Sequence, residues 1–309
     1  MKFAVSNTAL PALNHLDLLP NLREMGFTGL EVAPSQVWAD TWHGPNSASV
    51  TAYRHAAQNA GLEIIGLNSL LLSQPGLGIF QESETVKRTE DFLVHLSSVC
   101  RDLGGRTLIL TGGRELFGIT QERAWIACHA FLERLLPRIE EHGTMLCFAP
   151  LGSADAGFCH TATNCRVMAT AVDHSSFGLQ LNSSALSQSK ESGHAIFSAI
   201  YGHLEHFTIN EPGFVPLGDS GLVDHAAMRR HLSSSRYKGW VSLEQGLTAA
   251  PLNDLCRSVN FLTNTYLRKD NLSLSLMHPS IKPEIQAHPS QSIRSMPCWT
   301  KRMNALETP

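Results

Sequence analysis

The chain has 309 residues, 43% of them hydrophobic, and a formal net charge of −3. That length carries a large core in one domain, and the weak negative charge argues against a nucleic-acid surface. No apolar run reaches the roughly 18 residues of a membrane-crossing helix, and the opening MKFAVSNTALPALNHLD is too polar for a secretory signal. Seven cysteines, an odd number with no CxxC pair, read as buried reduced thiols rather than a disulfide framework. These features predict a cytoplasmic protein with no nucleic-acid and no membrane partner.

Strand and helix patterns alternate along the chain. KFAVSN (Lys2–Asn7) is the first predicted strand. Residues 15–25 read as a helix with Leu18, Leu19, Leu22 and Met25 on one face, stopped near Gly26. GLEVAPS is the second strand, residues 50–60 the second helix, and LEIIGLNSLL the third strand. The near-continuous apolar run of that strand suits burial on both faces. A third helix spans residues 83–103, with Ser83 placed to cap it and Gly104 to end it. RTLILTG is the fourth strand. Thr120 caps a fourth helix to about His142, in which Pro137 predicts a kink or a restart of the last turn. TMLCFAP, FGLQLN, LEHFTIN and GWVSLEQ complete the strands, separated by helices over residues 162–172, 193–201 and 224–232. A last helix covers residues 252–266.

Eight strand–helix units of about 33 residues each have the spacing of a (β/α)8 TIM barrel, predicted over residues 1–268. A doubly wound sheet is the rival, but no GxGxxG follows the first strand, and TGGRELFG after the fourth has the wrong spacing. Residues 269–309 break the pattern. The stretch from Asn271 holds five of the fifteen prolines with many Ser and His, and the tail is predicted to be disordered.

In a parallel barrel, strand ends gather around one pocket at the C-terminal face. Glu244 ends a buried strand, where a carboxylate needs a partner or a raised pKa; either makes it a candidate general base. The plainer alternative is a structural carboxylate. His206 shares a strand face with Thr208, as a candidate acid/base group or a satisfied core histidine. Asn182, Thr208, Asn68, Glu31 and Glu211 are candidate substrate contacts. Arg114 follows Gly112-Gly113, a weak anion-binding signal. Trp38, with Trp42, either walls the pocket or covers the rim.

FTGLEVAPSQVW, GLEIIGLNSLL, LGGRTLIL, LCFAP, HFTINEPGFVPLG with Asp224-His225, and GWVSLEQ together resemble the sugar phosphate isomerase/epimerase family of xylose-isomerase-like barrels, over residues 2–267. The resemblance implies one divalent metal held by two Glu, one Asp and one His, and two Glu that move protons on a small hydroxylated or keto substrate. It also allows pairing into a homodimer. The fifth strand of the family reads LCLEP, so Ala149 stands at the first Glu. Asn182 stands at the Asp and Thr208 at the His of HFHISEP; Glu244 alone remains. The third strand often carries a His where Asn68 stands. The expectation is therefore proton transfer at Glu244, with His206 as a second candidate, and no metal or other cofactor. Two alternatives stay open: a non-catalytic barrel binding a small ligand or partner protein, and a metal enzyme with a rebuilt ligand set, for which Cys147, Cys159 and His160 are the nearest candidates.

Overall fold

Short strands buried on both faces alternate with helices that bear one apolar stripe, as in parallel sheets whose faces are both covered. The computed structural model describes residues 2–72, 74–152 and 157–267. Eight strands close a barrel in chain order: β1 Lys2–Ser6, β2 Gly29–Val32, β3 Glu63–Leu67, β4 Thr107–Leu110, β5 Met145–Phe148, β6 Phe177–Asn182, β7 Leu204–Ile209 and β8 Trp240–Leu243. β1 pairs in parallel with both β2 and β8, which leaves no sheet edge. The fold is thus the expected TIM barrel. The tail expectation, like Cys298, lies outside the described residues.

The helices are α1 Leu19–Glu24, α2 Ser47–Asn59, α3 Ser83–Leu103, α4 Gln121–Glu140, α5 Ala162–Val172, α6 Ser183–Gln188, α7 His194–Ile200, α8 His225–Ser234 and α9 Pro251–Leu262. α1 is shorter than its pattern suggested, because Pro20 starts it and residues 16–18 form a tighter turn. α2 begins early, where Asn46 accepts the Ser49 N–H at 3.0 Å. Glu82, not Ser83, is the residue before α3, while Gly104 ends it at φ +90°. Thr120 caps α4, which runs unbroken past Pro137. The short helix α6 has no counterpart among the sequence-predicted elements.

The main core lies between the outer strand faces and the helices. A small separate cluster of Ile109, Met145, Cys147 and Ala149 lies on the alternate strand positions of β4 and β5, facing the barrel interior. Register shifts occur between Leu30 and Glu31 against β3, and between Leu179 and Gln180 against β7. Such bulges re-aim the next side chain. Here they pair Glu31 with Gly66 and Gln180 with His206, and both re-aimed side chains line the interior cavity. None of the six described cysteines is in a disulfide.

Candidate active site at the barrel mouth

The C-terminal strand ends enclose a cavity of about 260 Å³, whose polar wall includes Glu31, Asn68, Asn182, Thr208, Asn210 and Glu244. Ala149 and Ile109 belong to the small apolar cluster on the β4–β5 side. The interior is apolar along β4 and β5, and its polar side chains come from the other strands.

Glu244 follows β8 directly. Its Oε2 accepts the Asn210 amide at 3.0 Å and its Oε1 the Asn68 amide at 3.5 Å. Asn68 also donates to Glu31 Oε2 at 3.2 Å and to Ser6 Oγ at 3.0 Å. Ser242 donates to the same Glu31 oxygen at 3.0 Å. Two carboxylates thus flank one amide. Burial pushes the Glu244 carboxyl up to about 7; the Glu31 charge adds to this and the Asn210 hydrogen bond opposes it.

His206 brings Nε2 to 3.1 Å from Glu31 Oε1, with both residues almost fully buried. The contact is out of line for a hydrogen bond, and both atoms lack such a partner, as do Asn68 Oδ1 and Gln180 Oε1. Buried polar atoms are rarely left this way without water or a ligand. Three of these four residues line the mouth cavity, so its wall is built for a polar guest. His206, expected as an acid/base group, does not line the mouth; it lines a separate pocket with Arg106, Leu204 and Gly239 near the strand starts.

The other sequence-predicted residues separate. Asn182 lines the mouth, but its Oδ1 accepts the Ala185 N–H at 2.7 Å and caps α6. Its Nδ2 reaches the Pro150 carbonyl at 3.3 Å. Glu211 touches the cavity, yet its carboxylate accepts from Gly218 N–H at 2.7 Å, from His225 Nε2 at 3.0 Å and from the Ser220 hydroxyl. The other nitrogen of His225 lies 2.9 Å from the Tyr266 hydroxyl. That arrangement suits a neutral imidazole, and burial lowers the His225 pKa. Glu211 therefore ties down the loop after β7.

Arg114 is fully buried away from the mouth. Its guanidinium lies 4.8 Å from the Phe148 ring centroid and donates to the Ala149 carbonyl and, at 3.4 Å, to the Cys159 carbonyl. It shapes the backbone after β5 and presents no free fork to an anion. Trp38 is buried against Tyr53, with its indole N–H on Ser49 Oγ at 3.2 Å; it packs the β2 loop onto α2. Asn210, Ser6, Ser242 and Gln180 are site residues that sequence reasoning missed. Asn210 had a signal, being two residues beyond Thr208 and so on the same face of its strand.

A profile of the xylose isomerase-like TIM barrel family matches residues 19–264. The chain belongs to that family. Among solved structures it is similar to D-psicose 3-epimerase from Clostridium cellulolyticum H10, with a TM-score of 0.73 and 14% identity over 86% of this chain and 99% of that one. It is also similar to 3-keto-D-glucoside 4-epimerase from E. coli, with a TM-score of 0.68 and 16% identity over 84% and 99%. For L-ribulose 3-epimerase the values are 0.70 and 17% over 90% and 100%. A search of curated proteins by sequence finds no match. Among the described residues no helix is long and apolar enough to cross a membrane.

The resemblance implies a divalent metal, which needs several charged or strongly donating ligands aimed at one point. Of the four positions concerned, Ala149 has no donor, Asn182 spends its oxygen on α6, and Thr208 offers a neutral hydroxyl. Glu244 is the one carboxylate, and amide N–H groups already occupy its oxygens. This donor set does not fit a divalent ion.

Proposed function

We propose that this barrel moves a proton on a small hydroxylated keto or aldehyde substrate, with Glu244 as the base and without the metal its family resemblance implies. The observation that carries this reading is the Glu244 carboxyl in the wall of a polar cavity, held between the Asn210 and Asn68 amides and raised to about 7. A base with that affinity is half charged near neutral pH and can both take and return a proton. Asn210 and Asn68 hold its orientation through their amides. Gln180 and Thr208, in the same wall, supply neutral hydrogen bonds for substrate hydroxyls.

Inverting one carbon needs proton donors on both its faces. Ala149 stands where the resemblance implies the second Glu, and Glu31 lies behind the Asn68 amide. One carboxylate favours a transfer along one face. Glu244 removes the proton beside the carbonyl and returns it to the neighbouring carbon, and the hydroxyl proton passes between the two oxygens. Ketose–aldose isomerisation is that reaction.

The test is incubation of free ketoses and aldoses with the protein in deuterated water, followed by NMR. The reading expects deuterium at the carbon beside the carbonyl, and none with Glu244→Gln. Binding without exchange, unchanged in Glu244→Gln, would make this a non-catalytic barrel.

A further inference from the structure

The mouth cavity does not stand alone. A groove of about 1000 Å³ runs beside it, and the two share Ser69, Thr111, Phe214 and Glu244. A molecule whose reacting carbon sits over Glu244 therefore has a second space open to it. The mouth by itself is small for a ligand of more than sugar size, while the combined space accommodates one.

The walls of the groove differ from those of the mouth. Leu71, Leu72, Leu77, Phe117, Phe214 and Leu247 line it. Four of these are large and exposed: Leu72 55%, Phe117 65%, Phe214 52% and Leu247 55%. Apolar side chains gathered on one rim beside a polar site mark a binding surface more often than chance exposure does. Ser69, Phe117 and Phe214 also hold positive φ angles of 53°, 46° and 54°. For an aromatic residue that backbone is costly, and such strain collects at ligand sites.

Charge narrows the choice further. Among the described residues, no Lys, Arg or His lines the mouth or the groove, whereas Glu31, Glu115, Glu211 and Glu244 do. The nearest cation in sequence, Arg114, is committed to backbone carbonyls. A phosphate or carboxylate on the substrate would meet carboxylates and no counter-charge. Building on Glu244 as the base, we infer that the substrate is an uncharged sugar derivative carrying an apolar arm, with the sugar in the mouth and the arm in the groove.

The test is calorimetric titration of the full chain at pH 8 with three probes: D-fructose, D-fructose 6-phosphate and 6-O-octyl-D-fructose. Burying several methylenes should make the octyl ether bind at least about tenfold more tightly than D-fructose, and the phosphate should bind more weakly than either. In Leu72→Ser/Phe117→Ser, both exposed positions, the octyl advantage should fall toward one. Equal or tighter binding of the phosphate overturns the inference. So does an octyl advantage absent from the native protein or untouched by the double variant. A native dimer by sedimentation that the double variant splits would assign the groove to a second copy, and also overturns it. An octyl advantage without deuterium exchange would sink Glu244 as base and keep the groove; exchange without the advantage would do the reverse.

Discussion

Replacing Glu31 by Gln should move the titration of Glu244. The Asn68 amide nitrogen lies 3.2 Å from Glu31 Oε2 and 3.5 Å from Glu244 Oε1, so those oxygens are no more than about 6.7 Å apart. Two unit charges at that separation, in an effective dielectric near 20, repel by roughly 2.5 kcal/mol. Removing one charge should lower the Glu244 midpoint by about one to two pH units, since 1.36 kcal/mol corresponds to one. Burial, the larger cause of the elevation, stays. The midpoint should therefore remain above the ordinary carboxylate range. The assay is 13C NMR of protein labelled at the glutamate carboxyl carbon, with the Glu244 signal assigned by its loss in Glu244→Gln. A native midpoint near 4.5, or one near 7 that Glu31→Gln leaves in place, would refute the electrostatic account of this site.

A carboxyl whose folded-state pKa is raised stabilises the fold below its unfolded value and loses that contribution as pH climbs through the folded one. The loss should fall between about pH 4.5 and 7 for Glu244, and Glu244→Gln should be about 1–2 kcal/mol more stable than the native chain at pH 8 in urea unfolding, but not at pH 4. Glu211→Ala strands the Gly218 N–H, the Ser220 hydroxyl and His225; it should cost about 2–4 kcal/mol in the same assay. Arg114→Ala leaves the Ala149 carbonyl unmatched and the Cys159 carbonyl with only the Cys165 thiol. It should destabilise by a similar ~2–4 kcal/mol, with no change in phosphate affinity by calorimetry. Ala149→Glu, Asn182→Asp and Thr208→His together should create a site for one Mn²⁺, read by elemental analysis. Asp can keep the α6 cap that Asn182 now provides.

The barrel was legible in the sequence because its strands are buried on both faces, which writes the fold as short continuous apolar runs. Glu244 stood out for the same reason: a charge at the end of such a run is conspicuous. Arg114 misled because its partners are far away in the chain. The carbonyls it holds belong to residues 35 and 45 positions on, and nothing in GGRE tells a guanidinium that serves backbone from one that serves an anion. Trp38 misled similarly, since its partner Ser49 lies on the next helix. α6 escaped notice because six residues show no periodicity. Asn182 is both the end of β6 and the cap of that helix, a dual role that SSAL read as loop conceals. Ser6 and Ser242 escaped because their value is relational: each touches Glu31 or Asn68 only once the barrel has closed.

On the proposed reading, Glu244 moves the proton without a metal. The most direct test is deuterium incorporation from solvent into a turned-over sugar by protein stripped and held in excess chelator. Exchange should persist at the untreated rate in the native protein and vanish in Glu244→Gln. Exchange that the chelator abolishes and Mn²⁺ restores would contradict the account and show that the mouth recruits a metal through other ligands.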